Sequence, residues 1–227
     1  MVKFNQRTTM SNTIASKVAI IGLGNIGRVL ATNLTKGNRP VILAAREGEY
    51  AQRLADELGN LAQPMDIPSA VREADVIIPT IWFASIGEFL RRYAADLEGK
   101  LIVDVSNPIA PDGNGGFVKI IGETESAGQV NAAALPAGAR LAKAFGTLGA
   151  ASLASASGQT PDPAVLFYAT DDRSIDGTVE ELIRDAGFEP LRVGGLDQSI
   201  RLEVFGDLHE FGGLGKPVTL AEVQEKR

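Results

Sequence analysis

The stretch Lys17 to Lys36, KVAIIGLGNIGRVLATNLTK, constrains the fold of this chain more than any other. Val18 to Ile21 form a short unbroken apolar run, the pattern of a strand buried on both faces of a parallel sheet. A glycine turn follows, then Arg28 to Lys36 in helical register, stopped by Gly37. Gly22, Gly24 and Gly27 give G-x-G-x-x-G between strand and helix. Each glycine has a separate physical reason. The first permits the tight turn, the second lets the backbone approach a pyrophosphate, and the third lets helix and strand pack closely. The helix N-terminus then presents free N–H groups and a positive dipole end to phosphates.

The same alternation continues. Pro40 opens a second strand, Val41 to Arg46, and Glu49 to Leu58 read as a helix stopped by Gly59. Asp75 to Ile81 is a strand run in which Pro79 marks a strand end or bulge. Ile86, Phe89, Leu90, Tyr93 and Leu97 fall at helical spacing, and Leu101 to Val105 is a strand. Arg140 to Phe145 and Ala164 to Thr170 read as further strands, separated by a loop or weak helix over Gly149 to Pro163. Ile175, Val179, Leu182, Ile183 and Ala186 share a helical face, and Pro190 to Val193 is the last strand. The tail, Asp197 to Arg227, reads as helical with breaks at Gly206 and at Gly212 to Gly215. Strands alternating with amphipathic helices predict an α/β fold, a Rossmann-type doubly wound and mostly parallel sheet with a short helical C-terminal tail.

The second strand indicates which dinucleotide the turn serves. An NAD site places a carboxylate there to accept from the ribose 2′-OH. Here the strand ends Ala44, Ala45, Arg46, nineteen residues beyond Gly27. A guanidinium binds a 2′-phosphate in a bidentate fork, which a carboxylate would repel. The cofactor expected is therefore NADP(H), although Glu47 stands next to Arg46.

Composition narrows the remaining classes. The chain has 227 residues, 44% of them apolar, enough for one full hydrophobic core. It has no cysteine, which excludes a disulfide framework, a thiolate metal site and a Cys nucleophile. One histidine, His209, excludes a site built on two imidazoles. A net charge of −6 argues against nucleic acid as partner. No apolar run approaches the ~18 residues that span a bilayer. Residues Met1 to Ser16 are polar and mixed and lack an apolar leader core. They read as a flexible extension, with Met10 a second plausible start, and the chain is expected to be cytoplasmic. Residues 17–227 are expected to form one NADP-binding domain, with a substrate or dimerisation segment from about residue 197.

Several stretches together resemble the coenzyme F420-dependent NADP oxidoreductases, or deazaflavin:NADP reductases. They are VAIIGLGNIG with the AAR strand end, DVSNP at Asp104 to Pro108, LAKAFGTL at Leu141 to Leu148, and GFEPLRVGGLDQSIRLE at Gly187 to Glu203. Two departures from the family pattern stand out. Ile81, Trp82 and Phe83 replace a strand end that is usually Val-Pro or Pro-Trp, and Gly146 replaces an Asn. The resemblance implies that Leu23, Gly24, Asn25 and Ile26 surround the pyrophosphate, within the cofactor-binding turn that Gly22 and Gly27 shape, and that Arg46 holds the 2′-phosphate. It implies Ile81, Trp82 and Phe83 beside the nicotinamide ribose, with Asn107 and Ala144 near the ring. It further implies a homodimer, a small-molecule hydride partner, and coenzyme F420 as co-substrate.

The implied chemistry is hydride transfer between two carriers, for which the protein supplies binding, orientation and electrostatics. No catalytic side chain and no metal ligand is expected. Arg201 is the better of Arg201 and Glu203 as an anchor for a substrate phosphate or carboxylate. Gly146 is expected to enlarge the second-substrate pocket and Trp82 to narrow it. The apolar side chains of Leu202 to Leu214 are expected to form a subunit interface. Two other readings stay open. One is a reductase of a small imine or carbonyl, similar to pyrroline-5-carboxylate reductase, although Asp197 to Arg227 is short for the helical dimerisation domain of such enzymes. The other is a non-catalytic NADP-binding sensor.

Overall fold

The computed structural model describes residues 16–225. All but the last residue of the extension expected at residues 1–16, Met10 included, lie outside the described residues. In chain order the elements are β1 (Val18–Ile21), α1 (Asn25–Lys36), β2 (Val41–Ala44), α2 (Gly48–Leu58), β3 (Ala62–Met65), α3 (Ile67–Glu73), β4 (Val76–Pro79) and α4 (Phe83–Arg92). Then come β5 (Leu101–Asp104), β6 (Ile109–Pro111), β7 (Phe117–Lys119), α5 (Ala127–Ala133), β8 (Arg140–Lys143) and α6 (Ala150–Ser155). The last are β9 (Val165–Ala169), α7 (Asp176–Asp185), β10 (Glu189–Gly194) and α8 (Leu220–Glu225).

Eight strands form one sheet in the order β10-β9-β8-β5-β4-β1-β2-β3. The six from β3 to β8 in this order pair in parallel. β9 meets β8 antiparallel through the pair Lys143 and Ala169, and β10 runs parallel to β9. The sheet is thus mostly parallel, with helices on both faces, as the alternation of elements predicts. Strand order reverses between β1 and β4, and in such sheets ligands bind outside the carboxyl ends of the strands at that switch point.

The pleat divides the core in two. Val18, Ile20, Leu43 and Ile78 face α1, α2 and α7, which contribute Leu30, Leu34, Leu54, Val179 and Ile183. Ala19, Ile21, Ile42 and Ile77 face the other way, toward Val71 of α3 and Ile86, Phe89 and Leu90 of α4. Alternate strand residues thereby bury on opposite faces, which is why the strands read as continuous apolar runs.

Besides the β6–β7 hairpin and α5, which the sequence reading leaves unassigned, three parts of the fold differ from it. β3, AQPM, is an edge strand, and Pro64 is tolerated there because an edge need not donate to a further neighbour. α3 is a short helix capped by Asp66, whose side chain accepts from the Ser69 N–H at 2.8 Å. The tail is mostly turns: a 3-10 segment at Leu196–Arg201, tight turns to about residue 214, and only then α8. Gly206 and Gly212 sit so close to the backbone of Arg201, Phe205 and Gly206 that the chain doubles back instead of continuing as a helix. This compact tail covers β9, burying Leu202 and Val218 against Val165, Phe167 and Ala169. Leu208 and Leu214 pack half-buried on the same cluster, so within the tail only Phe205 and Phe211 of the expected interface set stay exposed.

Candidate functional site

The glycine turn lies at the switch point. Gly22 takes φ +95°, a left-handed conformation natural to glycine, and its N–H donates to the Ala44 carbonyl at 2.8 Å. A methyl on Gly27 would overlap the Gly22 carbonyl and lie 2.6 Å from Thr80 Oγ1. Thr80 Oγ1 also donates to the Gly22 carbonyl, stapling the turn to the end of β4. Gly24 differs from both: a methyl there would meet nothing within 4 Å. Next to that open space begins α1, which has no side-chain cap and no acidic residue in its first turn. Its first N–H groups are thus left for a ligand anion, and the residues present fit a pyrophosphate.

A cleft of about 580 Å³ runs from this turn along the carboxyl ends of the strands. Gly24, Asn25 and Ile26 line one end. Thr80, Ile81, Trp82 and Phe83 from the β4–α4 junction form one wall, and Val105, Ser106 and Asn107 after β5 form another. The β6–β7 hairpin adds Ile109 and Phe117, and the tail adds Val204, Phe205, His209 and Phe211.

Residues 17–108 match the family described as NADP oxidoreductase, coenzyme F420-dependent. That stretch carries β1 to β5, the glycine turn and two cleft walls. Among solved structures, a hypothetical protein, SMa0349, from Sinorhizobium meliloti is similar at 28% identity and TM-score 0.77, covering 90% of this chain and 95% of that one. A candidate F420-dependent NADP-reductase from Arthrobacter sp. FB24 is similar at 19% identity and TM-score 0.69, covering 81% and 86%. A pyrroline-5-carboxylate reductase from Coxiella burnetii shares the fold at 14% identity and TM-score 0.58, covering 85% of this chain and 64% of that one. No curated protein matches the sequence. Among the described residues no helix is long and apolar enough to cross a membrane.

The family's expected site residues divide by position. Gly24, Asn25, Ile26, Ile81, Trp82, Phe83 and Asn107 line the cleft together. Gly22 and Gly27 shape the turn from behind it. Leu23 is packed into the core, and Ala144 is buried behind the cleft wall instead of facing into it. Arg46 is exposed two residues past the end of β2 and has no hydrogen-bond partner among the described residues. Asn107 does more than line the cleft: its Nδ2 donates to the Gly146 carbonyl at 3.0 Å, and its Oδ1 accepts from the Val204 N–H at 2.7 Å. Its amide therefore joins the strand-end loops to the tail.

Two expectations are corrected. Gly146 does not enlarge the cleft, because a side chain there would point at the Val105 carbonyl, 3.0 Å away. Arg201, expected as a substrate anchor, is not among the residues that line the cleft, and its guanidinium pairs with Asp207 at 2.8 and 3.0 Å.

Sequence reasoning missed the buried polar cluster behind Ser106. Lys143 Nζ lies 3.2 Å from Asp104 Oδ2 and also donates to the Ser106 carbonyl. Asn131 Nδ2 and the Ser106 N–H donate to the same carboxylate at 2.9 and 2.8 Å. Glu203 accepts from the Gly128 N–H at 3.2 Å, and burial pushes its carboxyl up from the ordinary range, opposed by the charge of Lys143. The available signal was the DVSNP and LAKAF pair itself, which places a carboxylate and an ammonium on adjacent strands, β5 and β8.

His209 is buried at the cleft wall, and its Nδ1 accepts from the Phe211 N–H at 2.9 Å. Burial lowers its pKa from 6.5 to about 4, so it is neutral at physiological pH. The unfolded chain then binds a proton between pH 6.5 and pH 4 that the folded chain refuses. Stability should fall as pH falls across that window, by up to about 3 kcal/mol from this group. The raised Glu203 carboxyl gives a slope of opposite sign, so the contribution is isolated by comparison with a variant. His209→Asn should flatten the fall in urea midpoint between pH 6.5 and 4; an unchanged slope would refute a buried neutral imidazole.

Proposed function

We propose that this protein binds NADPH and transfers its hydride to a second, planar two-electron carrier. The observation that carries the reading is the open space at Gly24 beside the uncapped start of α1, continuous with a cleft large enough for a nicotinamide and a second ring. NADPH, when bound, supplies a hydride at nicotinamide C4. The chain's own residues bind and orient it. The N–H groups at the start of α1 hold the pyrophosphate and Arg46 holds the 2′-phosphate. The apolar side chains of Ile81 and Val105 keep water from the reacting carbons. Ser106 Oγ is buried and has no partner among the described residues, which leaves it free for a polar group of the ligand.

The family description names coenzyme F420, and the oxidised deazaflavin ring is the first carrier to test. Because hydride transfer between two carriers needs no general acid, the neutral His209 is compatible with it. A carbonyl or imine reductase also needs a proton at the reduced centre; among the described residues no Asp, Glu, Lys or Arg lines the cleft, and the hydroxyls of Thr80 and Ser106 and the neutral His209 are the weak donors there. The assembly we propose is a homodimer, refuted by sedimentation at micromolar concentration that shows only the 23.9 kDa species.

Nucleotide preference tests the cofactor half directly. Trp82 is the sole tryptophan and lines the cleft, so its fluorescence reports occupancy. NADPH should bind tighter than NADH, and Arg46→Ala should weaken NADPH roughly ten- to hundredfold while leaving NADH unchanged. Equal affinities for the two nucleotides would overturn the assignment.

A further inference from the structure

The far end of the cleft is built unlike the phosphate end. Of the residues that line the whole cleft, none is Asp, Glu, Lys or Arg. The nearby charges are committed elsewhere. Lys143 is held by Asp104 and the Ser106 carbonyl, and Glu210 accepts from the Gly149 N–H and the Ser152 hydroxyl. Arg201 is closed on Asp207. Around this uncharged mouth stand four aromatic side chains with large exposed faces: Trp82 at 59%, Phe117 at 48%, Phe205 at 56% and Phe211 at 63%. They come from three separate segments, the β4–α4 junction, the β6–β7 hairpin and the tail, and they converge on one opening. Exposed apolar side chains scattered singly need no explanation, but a converging set at a cleft marks a binding site.

We propose that this mouth recognises the hydride partner solely through an uncharged aromatic face, so that a free neutral ring of the quinone class is a substrate in its own right. The inference rests on the NADPH reading above and names the partner for the same cleft. Aromatic rings stack on a planar ligand with little dependence on its substituents. An anionic group on the stacked ring gives up part of its hydration and finds no cation among the residues that line the cleft, which disfavours it. In the step itself, NADPH gives up a hydride from C4, two electrons and one hydrogen nucleus. The quinone takes that hydride and one proton from water, and the products are NADP+ and the hydroquinone.

The test is a pair of titrations followed by Trp82 fluorescence: menadione, and a naphthoquinone sulfonate that carries an anionic group on the same ring. The absence of cysteine removes thiol addition as a competing reaction. Menadione should quench Trp82 and bind at least about tenfold tighter than the sulfonate, both to the free chain and to the NADPH-loaded chain. Phe211→Ala should weaken menadione about fivefold. Menadione should also oxidise NADPH on the enzyme. Equal or tighter binding of the sulfonate, or no quenching by menadione, would overturn the proposal, and so would absence of turnover when NADPH and menadione both bind. A chain that selects menadione over the sulfonate but does not bind NADPH would retire the cofactor reading while the ring selectivity stood.

Discussion

Gly24→Ala should fold as stably as the unaltered chain and lose NADPH binding, whereas Gly27→Ala should lose stability itself. The two positions are three residues apart, yet their surroundings are opposite. A methyl at Gly24 projects into open space, and its φ of −71° suits alanine, so the fold has no reason to object. That space is where a pyrophosphate would approach the backbone, and the methyl should weaken NADPH by at least about tenfold. A methyl at Gly27 overlaps the Gly22 carbonyl and crowds Thr80 Oγ1, both at the turn that joins β1 to α1. Forcing helix and strand apart there should cost about 1–3 kcal/mol. Urea denaturation and NADPH titration of both variants separate the effects. A Gly24→Ala chain that binds NADPH normally would contradict the placement of the pyrophosphate.

Removing the buried ammonium should have a still larger effect on folding. Lys143 and Asp104 are each essentially inaccessible, and their pair ties β8 to β5 beneath the cleft. Lys143→Met would leave the Asp104 carboxylate buried with only the Asn131 and Ser106 N–H donors. Breaking such a pair from one side costs about 3–5 kcal/mol. The double variant Lys143→Met with Asp104→Asn removes the stranded charge and should be less destabilised than the two single losses added together. A loss below about 1 kcal/mol in Lys143→Met would contradict a buried ion pair that ties β8 to β5.

What the sequence showed and what it hid follow from range. β1, the glycine turn, α1 and β2 are local: a short apolar run, three glycines and a stop at Gly37 specify them without help from the rest of the chain. The order of strands about β1 follows from the same βαβ logic. The hidden parts depend on partners distant in sequence. β3 is legible only as an edge strand, since Pro64 and Gln63 break the apolar pattern that marks buried strands. The β6–β7 hairpin is the exception: it is local, turning at PDGNGG, where Asp112 Oδ1 accepts from the Asn114 and Gly116 N–H groups, and the sequence reading passed over it. The cleft residues from the tail, Phe205, His209 and Phe211, reach the site because Gly206 and Gly212 turn the chain back on itself. Apolar residues spaced through a glycine-rich segment do not announce that path. The misplacement of Ala144 and Gly146 has the same origin. Both follow β8 in sequence, but Phe145 takes φ +60° and redirects the loop toward Val105.

The most direct test of hydride transfer uses NADPH deuterated at nicotinamide C4 and the oxidised deazaflavin ring as acceptor, because the hydrogen that arrives at carbon C5 does not exchange with water. Reduced carrier is recovered after NADPH oxidation by the enzyme, and its deuterium content is measured by mass spectrometry. The cleft geometry predicts deuterium on the carrier from one of the two C4 positions only, since a ring held against a fixed wall offers one face. Label released to solvent, or a chain that binds NADPH and deazaflavin without oxidising the first and reducing the second, would contradict it.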